Sequence, residues 1–118
     1  MTNHLLTDLA HYTGSDRLFY HPMFRHYVYT EGVQYLAEQA GAYWLLEHIF
    51  AHQHEPTIQA TSMQVWKIIV HDDKSATIQV ENGDDQIIHS TKIEYTDFPL
   101  RSFSLWFIDN TLLLPSEY

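Results

Sequence analysis

The chain has 118 residues, 45% of them hydrophobic and 18% charged, a globular composition that argues against disorder for most of its length. Fifteen acids against six bases give a formal charge of −9, which opposes the phosphate neutralisation that direct DNA or RNA binding requires. With no cysteine, disulfides and thiolate metal sites are excluded; the chain reads as cytoplasmic, with no signal peptide and no membrane span.

In chain order, Asn3 is placed to cap a short helix whose Leu5, Leu6, Leu9 and Ala10 share a face, and Gly14 follows where a left-handed C-terminal residue is expected. From Ser15 to Tyr29 aromatic residues recur without a sustained period and Pro22 interrupts them, which predicts loop or short extended pieces. Thr30 then reads as an N-cap, with Glu31 favourable in the first turn and Val33, Leu36, Ala37 and Ala40 at helical spacing; this predicts a helix over Glu31 to Ala40. Gly41 allows a bend or a break. Beyond it Leu45, Leu46, Ile49 and Phe50 form an apolar stripe that leaves Glu47, His48 and His54 outside, and Pro56 ends the helical stretch.

The second half alternates. Trp66, Ile68 and Val70 point one way, as do Ala76, Ile78 and Val80 against Thr77, Gln79 and Glu81. Asn82-Gly83 signals a turn before a strand in which Ile87, His89, Thr91, Ile93 and Tyr95 share a face. Pro99 breaks the chain, Phe103, Leu105 and Phe107 alternate up to a short turn at Asp109-Asn110, and Thr111 to Leu114 returns as a last strand. Helices followed by hairpin-linked strands predict an α+β fold, with N-terminal helices packed on one face of a four- to five-stranded antiparallel meander. The expectation is one domain over residues 1–118: a helical part at about 3–54, a connector at 55–62 and a sheet part at 63–115.

Several groupings of residue types point to chemistry. His48 and His52 stand four apart on a helix, the spacing that lets two imidazoles meet one ion, with His54, Glu47 and Glu55 near enough in sequence to supplement them. The zincin motif has Glu directly after its first His, whereas Ile49 stands here. Asp97 beside Tyr95, and Glu31 with Glu38, are acid–base candidates, but turn capping and a solvated helix face account for them as simply. The pairs Asp72-Asp73 and Asp84-Asp85 fall at hairpin tips. No serine lies in a nucleophile elbow and no phosphate-binding glycine loop is present. Tyr20, Phe24, Tyr27, Tyr29, Tyr35, Tyr43 and Trp44 offer stacking surfaces, yet core packing is the better account of them in a small chain.

The segment HPMFRHYVYTEGVQYLAEQAGAYWLLEHI, with YTDFPL and DNTLLLPSEY downstream, resembles a family of short bacterial or phage-related proteins known as a domain of unknown function, over Leu9 to Tyr118. The resemblance implies a compact domain with no assigned activity. It carries over no catalytic residue and lends no support to a metal site at His48 and His54.

The sequence therefore predicts a small acidic, non-catalytic interaction or regulatory protein that needs no cofactor. Its partner is a protein, basic by complementarity to Glu31, Glu38, Asp84 and Asp85, or a second copy of the chain paired through the edge of Thr111 to Leu114. The alternative is a metal-binding protein or enzyme built on His48, His52 and His54.

Overall fold

The computed structural model describes residues 2–13 and 17–118, with side chains from residue 5 onward in those ranges. Gly14 and the capping side chain of Asn3 lie outside the described set. Helix α1 (Thr2–Leu9) leads into a hairpin of β1 (Leu18–His21) and β2 (Phe24–Thr30), then α2 (Glu31–Ala40) and α3 (Tyr43–Ala51). A 3-10 turn (His52–His54) and the short helix α4 (Pro56–Gln59) precede β3 (Met63–Val70), β4 (Ala76–Glu81), β5 (Ile87–Ile93), β6 (Ser102–Ile108) and β7 (Thr111–Leu113), and a last 3-10 turn spans Pro115–Glu117. None of the described helices is long and apolar enough to cross a membrane.

The class is α+β, but the sheet has seven strands in the order β1-β2-β7-β6-β3-β4-β5, not the expected four or five. The first of two corrections accounts for that difference. Residues 18–30, expected as loop or short extended pieces within the helical part, form two full strands. Residues 55–62, expected as a plain connector, contain α4, because Pro56 is preorganised for the first helical position and starts a helical turn as readily as it ends one. Nor is the sheet a simple meander. β6 pairs with β3 instead of β5, and β2 pairs with β7 in parallel, Val28 opposite Thr111 and Tyr29 opposite Leu112. β7 is therefore an interior strand between β2 and β6, so the edge expected at Thr111 to Leu114 is closed; the sheet ends instead in β1 and β5.

Local chemistry accounts for the helices. Thr30 accepts the Val33 amide at 3.3 Å as N-cap of α2, and Gly41, at φ 60°, ends it in the left-handed region where glycine has no Cβ penalty. Gly41 thus breaks the helical segment into α2 and α3. Val33, Leu36, Ala37, Leu45, Leu46, Ile49 and Phe50 are all buried. Phe50 is their centre, its ring within 5.6–6.5 Å of His21, Phe24, Tyr27, Tyr29 and Phe107. The sheet contributes Trp66, Ile68, Ile78, Val80, Leu105, Phe107 and Leu112 from one face, by the alternation the sequence predicted. Each such side chain contributes about 1.5–3 kcal/mol by leaving water.

The alternation fails where the backbone slips. A register shift between Val80 and Glu81 leaves Ile87 57% exposed and buries Glu81, which pairs with Lys67 at 3.1 Å and accepts from Gln79 at 2.9 Å. β5 stops at Ile93, so Tyr95 stands exposed instead of sharing the strand face.

A carboxylate from the end of the sequence completes α2. Thr30 Oγ donates to Glu117 at 2.5 Å, and the Gly32 and Leu114 amides donate to the same carboxylate at 3.3 and 3.0 Å. Two otherwise unsatisfied N–H groups and the helix dipole meet one negative charge. Glycine at position 32 leaves room for this contact: a Cβ there would lie 2.6 Å from Leu114 Cδ1 and 2.7 Å from Glu117 Oε1, so a larger residue would have to displace those side-chain ends.

Candidate functional site

The histidine end of α3 is where sequence chemistry and buried structure meet. The four-residue spacing stacks His48 and His52, with ring centroids 4.2 Å apart and planes at 32°, and His52 Nδ1–H donates to the His48 carbonyl at 2.8 Å. His54 does not join them. It is exposed, its Nδ1–H donates to the Ala51 carbonyl, and its Nε2 lies 3.9 Å from Glu55. The third member is His89, a residue the functional reading of the sequence passed over. On β5 it stands opposite Val80, on the face the helices cover, 5.3 Å from the His52 ring. The available signal was its position in the apolar row with Ile93, where a polar residue is out of place.

Trp66 presents its ring to both His48 and His52, at 6.1 and 6.3 Å. His48 Nε2 is buried with no hydrogen-bond partner, and burial, reinforced by His52 and His89, lowers the His48 pKa to about 4. The arrangement keeps a neutral imidazole against the sheet. Among the described residues no group of three or more His, Asp or Glu is placed to hold a metal ion.

Beside this cluster, Gln53 and Gln64 are buried and exchange amide hydrogen bonds at 2.8 and 2.9 Å. Gln64 also donates to the Ile58 carbonyl at 3.0 Å and accepts from Trp66 Nε1 at 2.8 Å. A cavity of about 280 Å³ opens beside them, lined by Tyr27, Phe107 and Asn110 among others. Both amides face it already engaged, so the pair acts as a joint between α3, α4 and β3. His21 is likewise engaged: Met23 N donates to its Nδ1 at 3.1 Å, leaving Nε2–H for Glu47 at 2.9 Å.

The remaining sequence candidates separate. Asp97 is exposed, and Thr96, not Asp97, caps the following turn by accepting the Phe98 amide at 3.1 Å. Asp73 accepts from the Ser75 amide and hydroxyl at 2.9 and 2.6 Å, which holds its pKa below the usual carboxylate range. Asp84 and Asp85 are exposed at the β4–β5 tip, where Asp85 takes φ 64°. Glu31 and Glu38 lie on α2, which packs over β1, β2 and β7 at the other side of the sheet, so the two acidic pairs are not brought together. Of the aromatics, Phe24, Tyr27 and Tyr29 surround Phe50, Tyr43 donates to Glu38 at 3.5 Å, and Trp44 packs half-buried on the core, whereas Tyr20 is exposed.

The charge distribution has an order the total of −9 conceals. Residues 2–13 and 31–66, which supply all four helices, contain Asp8, Glu31, Glu38, Glu47 and Glu55 and no Lys or Arg. The six bases are Arg17 and Arg25 around the first hairpin, and Lys67, Lys74, Lys92 and Arg101 in the sheet and its connections. Lys67 and Lys92 extend from the sheet face opposite the buried row of Trp66 and Ile78.

These features define an α+β protein with one mixed, mostly antiparallel sheet and an acidic helical layer. The chain belongs to a family of unknown function, DUF6876, which it matches over residues 3–118. No curated protein and no solved structure matches it.

Proposed function

We propose that this chain is a non-catalytic interaction module whose helical layer docks on a basic protein. The observation that carries the reading is the segregation of charge: five carboxylates and no Lys or Arg in the segments that form the helices. Glu38, Glu47 and Glu55 are exposed there. A surface of one sign steers a partner of the other and discriminates against like-charged competitors. A partner that itself binds nucleic acid fits this chemistry, its basic surface being met by carboxylates in place of phosphates.

The test is recovery of partners from the source cells at low and high salt, comparing the parent with the Glu31→Gln, Glu38→Gln double variant. A basic protein should be retained at low salt, released at high salt, and held about two- to five-fold less well by the variant. An acidic partner, or one indifferent to both salt and substitution, would sink the reading.

A further inference from the structure

We propose that the recess formed by Asp8, Tyr12 and Tyr35 binds an organic cation, an alkylammonium or guanidinium group. The recess measures about 360 Å³ and is lined by these residues and His11, where the end of α1 meets α2. Two aromatic rings belong to its lining and pack against each other, the Tyr12 and Tyr35 centroids lying 5.5 Å apart with planes inclined at 36°, so a ligand meets their outer surfaces and not a slot between them. A carboxylate completes it: Tyr35 O–H donates to Asp8 Oδ2 at 2.6 Å, which fixes the acid beside both rings.

Each wall favours the same ligand. The face of an aromatic ring is electron-rich and attracts a cation within about 6 Å of its centroid, and the carboxylate adds a full opposite charge. The walls are also held in place. Leu9 is buried, the Tyr12 amide donates to the Leu9 carbonyl at 3.1 Å, and Ser116 Oγ donates to the Tyr12 carbonyl at 2.7 Å, tying the residue after α1 to the last turn of the chain. Less order then has to be imposed on binding. Among the described residues its lining contains no Lys or Arg, His11 being the one basic side chain there.

A Lys or Arg side chain of the partner is the occupant that the proposed function supplies, and in that respect the inference rests on it. Free amines present the same group. Titration of the isotope-labelled full chain with Nα-acetyl-lysine methylamide, beside its uncharged counterpart Nα-acetyl-norleucine methylamide, tests the site by amide chemical shifts. The lysine ligand should give saturable shifts at Asp8, Tyr12 and Tyr35 and the norleucine ligand none. Asp8→Asn or Tyr12→Leu should weaken binding on the order of two- to five-fold, whereas Tyr35→Phe, which keeps the ring and the charge but frees the carboxylate, should weaken it less. Tighter binding of a lysine-containing peptide than of butylammonium identifies a side chain as the occupant, and equal binding identifies a free amine; both support the site. Equal shifts with the two amides, shifts confined to other elements, or indifference to Asp8→Asn would overturn it. The ligand comparison needs no substitution, so a variant that fails to fold leaves the test intact. Loss of binding here, with salt-sensitive partner retention preserved, would remove the recess and leave the docking layer standing.

Discussion

His48 shows how one side chain can tie stability to pH. Its folded pKa of about 4 lies below the ordinary histidine value of 6.5, so below that value the unfolded chain takes up a proton that the folded chain resists. Its contribution is complete above pH 6.5 and is lost as pH falls toward 4. The groups facing it are His52, His89 and Trp66, and none supplies a negative charge to offset protonation. The urea midpoint should therefore fall across that interval, and His48→Leu should flatten the fall. An equally steep fall in the variant would show that other groups carry the effect. By helical period the sequence placed His48 outside the apolar stripe, whereas the structure buries its Nε2 and sets its ring against Trp66. The sequence could not show that β5 would bring a third imidazole against this part of α3, because two whole strands, β3 and β4, stand between His89 and α3 in the chain.

At the scale of elements, the Glu117 contact is the clearest case of a distant residue finishing a local motif. Glu117→Ala leaves Thr30 to cap α2 alone and removes a charged acceptor from Gly32 and Leu114, so it should cost about 1–2 kcal/mol, read from the urea midpoint. An unchanged midpoint would mean the carboxylate merely rests there. What the sequence showed well was local: the Thr30 cap, the bend or break allowed at Gly41, the stripe of α3, and the alternation of β3, β4 and β6 all depend on neighbours within a turn or two. The β1–β2 hairpin was hidden for a physical reason. Phe19, Tyr27 and Tyr29 pack inward while Leu18, Tyr20 and Val28 alternate outward, so both faces are bulky and the period of two disappears. Its pairing partner β7 lies some eighty residues away. The Asp8, Tyr12 and Tyr35 recess was equally invisible, since it exists only once α1 leans on α2.

For the molecule as a whole, charge and exposed apolar surface act against each other. Leu18, Tyr20 and Met23 are more than half exposed along β1 and its turn, at a free sheet edge, and an open apolar edge is a template for pairing. The charge of −9 keeps copies apart, and protonating histidines as the pH falls reduces it, with His48, the one among the described residues held down to about 4, the last of them to contribute. Light scattering should therefore rise as pH falls to about 5–6, and Tyr20→Lys should suppress the rise by placing a charge on the edge. A flat profile in the parent would argue against this balance.

The parallel pairing of β2 with β7 bears on the order in which the fold can assemble. Val28 and Tyr29 pair with Thr111 and Leu112, some eighty residues further along, so the sheet neighbour of the first hairpin is made well after it. Until then the hairpin has neither its sheet neighbour nor the Phe107 ring against Tyr27, and its aromatic side chains stand in water or in the grip of a chaperone. A nascent chain halted before Thr111 would be a half-built sheet with a sticky arm, and the arrival of Thr111–Leu113 is what lets that arm close.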